Sequence, residues 1–302
     1  MRTFCLSVHA RYACRHSGAC CTASWPIQMD FGMARELRRR MNTPNFLDHV
    51  DGLSYLTRRP DGSCVFLERE GGLCAIHRIA GPDLLPLACR HFPRVALTDP
   101  RGTFVTLSGF CPTVASMLLD HGRLHVVEAP APLALNGTLE GLDATAVLPP
   151  LLRPGILIDY ESYAAWERAA IGVLDRDDLD ARQALDIIEF ATRAVQRWTE
   201  DDGPMVKCVD RAFSHLPPRA ANPRSLDTRP TRVFVAGHLF ASWAAYQDGG
   251  IAGVIEVART ALTELERELA RGLSFVDAVR AADFRLRHTE ASCPHSTGSC
   301  DT

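Results

Sequence analysis

Seven cysteines crowded between residues 14 and 111, of eleven in a chain of 302, constrain the fold more than any other feature of this sequence. They are Cys14, Cys20, Cys21, Cys64, Cys74, Cys89 and Cys111. Each stands beside a glycine, a proline or a turn, where the chain can bend so that several sulfurs converge on one point. The opening stretch MRTFCLSVHARYAC is broken by charges and histidine and does not read as a secretory leader, so a cytoplasmic protein is expected. Thiols stay reduced there, and clustered cysteines then read as metal ligands in preference to disulfides. The plainer alternative is a set of buried packing thiols. Seven within a hundred residues speaks against it.

The spacing bears on which metal. Zinc sites usually show paired CxxC knuckles, and the sequence has none. Vicinal Cys20 and Cys21 with widely scattered partners suit an iron–sulfur cluster better, 4Fe-4S in type, with zinc as the alternative. In an extended segment Cys20 and Cys21 would point to opposite sides. Either a turn reorients one of them, or the two serve different centres.

Around the cysteines the first region reads as mixed. Asp30 is a fitting N-cap for a short helix through Met41. Leu53–Arg58 and Cys64–Leu67 flank Pro60-Asp61-Gly62 as a small hairpin. Arg94–Thr98 and Thr103–Ser108 flank Pro100-Arg101-Gly102 as a second. Pro112 suits the first position of another helix. Residues 128–155 are rich in Pro, Ala, Gly and Leu and read as a connector. Beyond them apolar residues recur at three- and four-residue spacing over Tyr160–Leu174, Leu179–Thr199, Thr231–Gln247, Gly253–Arg271 and Ser274–His288. Leu216–Pro230 is another break, and 290–302 reads as a flexible tail. The expected fold is therefore α+β. A cysteine-cluster metal-binding domain with short β-hairpins (1–127) and a Pro-rich connector (128–155) precede an all-α helical bundle (156–289) and the tail.

Three pieces of sequence carry the chemistry. Tyr12-Ala13-Cys14 is followed by Gly18-Ala19-Cys20-Cys21 and Trp25. Asp61-Gly62-Ser63-Cys64-Val65-Phe66-Leu67 is followed by Leu73-Cys74-Ala75-Ile76-His77. Leu85-Pro86-Leu87-Ala88-Cys89-Arg90-His91-Phe92-Pro93-Arg94 is followed by Cys111-Pro112 ahead of a helix. This order, from Tyr12 to about Leu119, resembles the flagellin lysine-N-methylase family, within a wider group of cysteine-cluster proteins that chelate zinc or iron. The resemblance implies an iron–sulfur cluster and methyl transfer from S-adenosylmethionine to an amine, with a protein lysine or a small amine as substrate. On the same reading the seven cysteines are the metal ligands, and Arg90 and Arg94 lie near the cluster or a carboxylate-bearing cofactor. The wider group often has a cysteine where this chain has Ser17.

Other features narrow the field. No GxGxxG follows a strand, and no CxxxCxxC triplet is present. A Rossmann-type site is thereby not supported, and the usual radical S-adenosylmethionine signature is absent. A net charge of −3 and pI of about 6.4 point away from nucleic acid and from anionic membranes. Lys207 is the sole lysine, which argues against extensive self-methylation. His77 and His91 fall inside the cysteine motifs, where a structural role competes with a ligand role. Tyr160, Glu161, Tyr163 and Trp166 open the first bundle helix, where helical spacing favours core packing. Cys5 and Cys208 read as packing residues. Cys293, His295 and Cys300 form either an accessory metal site or an exposed tail. A non-catalytic zinc, iron or redox-sensing module, and a cluster-dependent oxidative or radical reaction on a small molecule, remain alternatives to the methyltransferase.

Overall fold

A computed structural model describes residues 1–23, 25–41, 43, 45–130, 133, 141–216 and 229–288. The fold is α+β. In chain order the first half contains β1 (Thr3–Leu6), α1 (Ala19–Thr22), α2 (Phe31–Met41), β2 (Leu47–Val50) and β3 (Leu53–Leu56). There follow α3 (Ala75–Ala80), α4 (Leu87–His91), β4 (Arg94–Asp99), β5 (Gly102–Leu107), α5 (Pro112–Met117) and β6 (Val126–Glu128). Three short strands come next: β7 (Gly141–Asp143), β8 (Leu151–Arg153) and β9 (Ile156–Leu157). The helical half comprises α6 (Tyr160–Leu174), α7 (Ala181–Val195), α8 (Met205–Ser214), α9 (Arg229–Leu239), α10 (Gly250–Ala270) and α11 (Phe275–His288). No described helix is long and apolar enough to cross a membrane.

Five strands form one mixed sheet in the order β6-β1-β5-β4-β7. The β4–β5 hairpin lies where the Pro100-Arg101-Gly102 turn places it, with Asp99 opposite Gly102. Strand β1 runs parallel to β5, pairing Thr3 with Thr103. All six residues of β5 are buried, so both faces of the sheet are covered. Alternation sends Phe104 and Thr106 to one face and Val105 and Leu107 to the other. Phe104 meets Phe240 edge-on with centroids 6.0 Å apart, and the Thr106 hydroxyl donates to the Gly237 carbonyl at 3.1 Å. On the opposite face Val105 and Leu107 pack with Cys5, Tyr12 and Cys111. Leu6, Val8 and Phe104 share one apolar core with the bundle helices. Tyr163 and Trp166 lie fully buried in that core, as their spacing predicts.

The bundle helices are well capped. The Asp159 side chain accepts from the Ser162 N–H at the head of α6, and Asp180 with Gln183 forms a capping box on α7. Trp166 donates its indole N–H to the Thr192 hydroxyl at 2.8 Å, satisfying the one polar group of a buried ring. A second polar knot ties α11 to the sheet. Ser108 donates to Asp283 at 2.6 Å and lies 3.0 Å from His288 Nε2, while Arg287 meets the other Asp283 oxygen at 3.1 Å. Asp283 is held well below the usual carboxylate range, because Arg287, His238 and Ser108 together outweigh its burial.

Two local expectations change. Leu53–Leu56 pairs with Leu47–Val50, not with Cys64–Leu67. Asp51 and Gly52 both take positive φ (51° and 77°), the geometry of a tight two-residue hairpin turn, and that turn captures the strand first. What remains of the expected hairpin is the single bridge between Arg58 and Cys64. Helix α8, after Pro204, was also not expected. The expected helix over Asp30–Met41 forms, with the Asp30 carboxylate accepting from the Met33 N–H at 3.1 Å. The calls on Cys293, His295, Cys300, the 290–302 tail and most of the Leu216–Pro230 break lie outside the described residues.

Candidate metal centre

Four loops carry the thiols to one place. The first is the segment 17–22. Gly18 takes φ +70°, and a Cβ there would sit 2.5 Å from the Gly72 carbonyl oxygen. Only glycine permits this approach, which lays the Cys20–Cys21 turn against the loop leading into Cys74. The second is the Asp61–Cys64 turn. Asp61 accepts from the backbone and hydroxyl of Ser63 at 2.9 and 2.6 Å. The Cys64 N–H then donates to the Cys21 carbonyl at 2.7 Å, joining the first two loops. Third, Cys74 is the N-cap of α3. Fourth, Cys89 rides on the short helix α4.

The short α1 turn resolves the vicinal pair. On a helical turn the alternation of an extended chain is lost, and the Cys20 and Cys21 thiols come into hydrogen-bond contact. Cys21 also contacts the thiols of Cys64 and Cys74. Cys89 is close enough for its charge to be felt with those of Cys20, Cys64 and Cys74. Five sulfurs therefore share one locus, at the edge of an apolar cluster with Ile27, Phe46, Phe66 and Ile76.

Electrostatics at this locus divide the thiols, favouring thiolate at Cys20, Cys64 and Cys74 and opposing it at Cys21 and Cys89. Contact with Cys21 brings Cys64 down to about 7, helped by the Phe66 N–H and the Arg58 charge against the opposing effect of burial. The same contact with Cys21, aided by the N–H groups of His77 and Ile76, brings Cys74 down to about 6. Cys20 is also lowered through Cys21, which is itself pushed far up by its three sulfur partners. Burial, then the neighbouring thiolates, pushes Cys89 up. The thiolate is the form that binds metal, so Cys64 and Cys74 are primed near neutral pH.

One cation serves the whole locus, and it was not singled out from the sequence. Arg58 donates to the carbonyls of Cys21 at 3.2 Å, Gly62 at 3.4 Å and Trp25 at 2.7 Å. It clamps the first loop to the second and sets a positive charge near Cys64 and Cys89. An arginine before a Pro-Asp-Gly turn carries no sequence signal of such a role.

Cys14 and Cys111 gather elsewhere. Cys111 caps α5 and hydrogen-bonds with the Tyr12 hydroxyl, and Cys14 lies near that same tyrosine. Arg94 completes this second group, with its guanidinium 5.7 Å from the Tyr12 ring centroid. The Arg90 carbonyl accepts from Arg94 at 3.5 Å, and the Arg90 charge lowers His91 after burial does. The ring of His77 lies 4.6 Å from that of His16, while its backbone N–H serves the Cys74 sulfur. Cys5 is a buried packing residue of the sheet, pushed up to about 11 by burial.

The donor set fits a metal in its chemistry: soft sulfurs, lowered pKa values and backbone N–H groups aimed at sulfur. Among the described residues, no group of three or more His, Cys, Asp or Glu side chains is arranged so that it could hold a metal ion. The contacts show why. Cys21 occupies the centre between Cys20, Cys64 and Cys74, which is the packing of a protonated thiol among its acceptors. All nine described cysteines are free of disulfides.

Residues 13–112 match the family model titled "CxxCxxCC: Putative zinc- or iron-chelating domain", a span that takes in all seven clustered cysteines. No curated protein and no solved structure matches the chain significantly. The match is confined to the segment that carries the thiols.

Proposed function

We propose that residues 14–111 hold a thiolate-ligated iron–sulfur cluster, with Cys20, Cys21, Cys64, Cys74 and Cys89 as the ligand pool and Arg58 as the clamp on its loops. The observation that supports this reading is the gathering of Cys20, Cys21, Cys64, Cys74 and Cys89 at one locus, enough sulfurs for the four thiolates that a cluster takes. A bound cluster supplies electron transfer, or Lewis-acid chemistry where an iron keeps an open position. The chain's own part is to exclude water with the apolar cluster behind the sulfurs and to stabilise thiolate with N–H groups. Cys14 and Cys111, the two other ligand candidates, stand beside Tyr12 and Arg94. A reducing, cytoplasmic setting accords with free thiols.

Metal and acid-labile sulfide analysis, with a visible spectrum on protein purified without oxygen, tests the proposal. Iron with sulfide and a bleachable brown absorbance are expected. Stoichiometric zinc without sulfide would overturn the cluster and leave a zinc module.

A narrower reading is an S-adenosylmethionine-dependent N-methyltransferase acting on a protein lysine or a small amine. Its support is the motif order from Tyr12 to Pro112 shared with the flagellin lysine-N-methylase family. Equilibrium dialysis of the iron-loaded protein with S-adenosylmethionine decides it, and no saturable binding would remove it.

A further inference from the structure

Residues 17–89 carry the five gathered thiols and hold together among themselves. Their apolar cluster, from Cys20 to Cys89, shares no residue with the two cores of the sheet and bundle. Their strand pairings, β2 with β3 and Gln28 with Tyr55, close within the stretch. Among the described residues their salt bridges do too, Glu36 with Arg39 and Arg40 and Glu68 with Arg78. The chain enters this stretch through residues 13–17, all exposed, where His16 takes φ 53°. It leaves at the end of α4. A unit with its own core moves against its neighbour unless a large apolar interface prevents it.

The interface is a narrow aromatic seam. Trp25, four residues after Cys21, stacks on His288 at the end of α11 with centroids 4.5 Å apart. It meets Phe110 and Phe284 at 5.8 and 6.5 Å. Phe92, which follows the helix that carries Cys89, meets Trp25 at 5.7 Å and Phe110 at 6.3 Å. All five rings are half-buried, so the seam lies at the surface. A further ring contact, His16 with His77 at 4.6 Å, sits at the point of entry.

Each side of the seam is firmly held. On the body, Ser108 lies 3.0 Å from His288 Nε2 and donates to the buried Asp283 at 2.6 Å. Arg280 donates from Nε to the Phe110 carbonyl at 3.2 Å. On the thiol side, Arg58 holds the Trp25 carbonyl at 2.7 Å with the same guanidinium that holds the Cys21 carbonyl at 3.2 Å. Trp25 therefore moves with the thiol loops, and His288 with the bundle. What joins the two is ring contact, which parts without breaking a strand ladder or a salt bridge.

We infer that residues 17–89 swing as one lobe on their two chain crossings, with Trp25 against the end of α11 as the latch. The motion carries the thiol locus toward and away from the sheet and bundle. The inference stands whether or not the thiols hold a metal.

The test is limited tryptic cleavage of the full chain, with each cut quantified by mass spectrometry at equal metal content. Arg90 lies exposed at the second crossing, in the last turn before Phe92, and Arg69 lies exposed in a loop inside the lobe. Trp25→Ala should speed cleavage at Arg90 about tenfold, and Phe284→Ala, on the body side, about three- to tenfold, the range of lost aromatic contacts. Trp25→Phe should fall between wild type and Trp25→Ala. Cleavage at Arg69 should stay unchanged in all three, because the lobe keeps its own core as it moves. Phe275→Ala, at the other end of α11 and packed on the bundle core, controls for general loosening of that helix and should leave Arg90 as in wild type. Combining Trp25→Ala with Phe284→Ala should add nothing beyond Trp25→Ala, since both act on one contact. An unchanged rate at Arg90 in Trp25→Ala and Phe284→Ala would overturn the inference. So would a parallel rise at Arg69, which marks melting of the lobe, or an equal rise in Phe275→Ala.

Discussion

Replacing Gly18 by alanine separates backbone strain from the geometry of the thiol locus. At φ +70°, an alanine costs about 1–2 kcal/mol on conformational grounds alone. Its Cβ would also lie 2.5 Å from the Gly72 carbonyl oxygen, where real Cβ contacts stop near 3.0 Å. The two loops must then part by at least about 0.5 Å, against a ligand tolerance of about 0.2 Å in a metal site. Cys20 and Cys21 ride on one of these loops and Cys74 on the other, so a misplaced shell is unavoidable. Disturbed support of ligands costs about 10–100-fold in metal affinity, and a loss in that range is expected. Gly52→Ala is the control, since Gly52 takes φ +77° with nothing within 4 Å of its would-be Cβ. It pays the backbone cost without the collision. The assay is competition for metal against a chromophoric chelator, with thermal melting alongside. Both variants should lose similar stability from strain, but Gly18→Ala alone should lose metal. Equal metal affinity in the two variants would refute the argument that the Gly18–Gly72 contact sets the spacing of the sulfurs.

Other outcomes follow from the same geometry. Arg58→Leu leaves three carbonyls without their charged donor and should cost about 2–3 kcal/mol, with Cys64 moving up only slightly, because its contact with Cys21 is the larger cause of its lowering. Melting curves and the pH profile of thiol alkylation read both, and an unchanged profile would show that Arg58 does not tune the site. Stripping metal with a chelator should lower the melting transition of the thiol segment yet keep the far-ultraviolet helical signal, because the core that the bundle shares with the sheet is distinct from the apolar cluster of the thiol loops. Loss of helix together with metal would contradict this. Burial first, then Arg287, lowers His9 to about 3, whereas the unfolded chain takes up its proton near 6.5. Between those values the unfolded state binds more protons, so stability should fall as pH drops from about 6.5 toward 3, by a few kcal/mol in all. Denaturant titrations across this range should show a shallower slope in His9→Phe, and parallel slopes would exclude His9 as a contributor.

The parts legible in the sequence are those whose cause is local. Pro100-Arg101-Gly102 dictates the β4–β5 turn, Asp30 the start of α2, and the apolar period of 160–174 the boundaries of α6. Convergence of Cys20, Cys64, Cys74 and Cys89 was also readable, because glycine and turn residues flank them. Separation of Cys14 and Cys111 from that pool was not. It depends on Tyr12 and on how α5 packs on the sheet, both set by contacts distant in sequence. The same holds for β1, four residues long, whose partner strand begins near residue 102. The surroundings of Arg101 were likewise invisible: it reads as a turn residue until Asp99, Tyr163 and Glu167 are seen around it.

The parallel pairing of β1 with β5 has a consequence for how the chain matures. Thr3 has no partner until Thr103 has been made, so the N-terminal segment waits through a hundred residues of synthesis. Cys20 and Cys21 wait with it. Between Cys21 and Cys74 lie 53 steps (74 − 21), which at ordinary ribosomal rates occupy roughly 3–10 s. During that interval the vicinal thiols are exposed without their later partners, open to oxidation or to capture of a stray ion. All five thiols of the locus are in the chain by residue 89, before β5 is made, so conditions at the ribosome, as much as the finished fold, decide what the exposed sulfurs meet first.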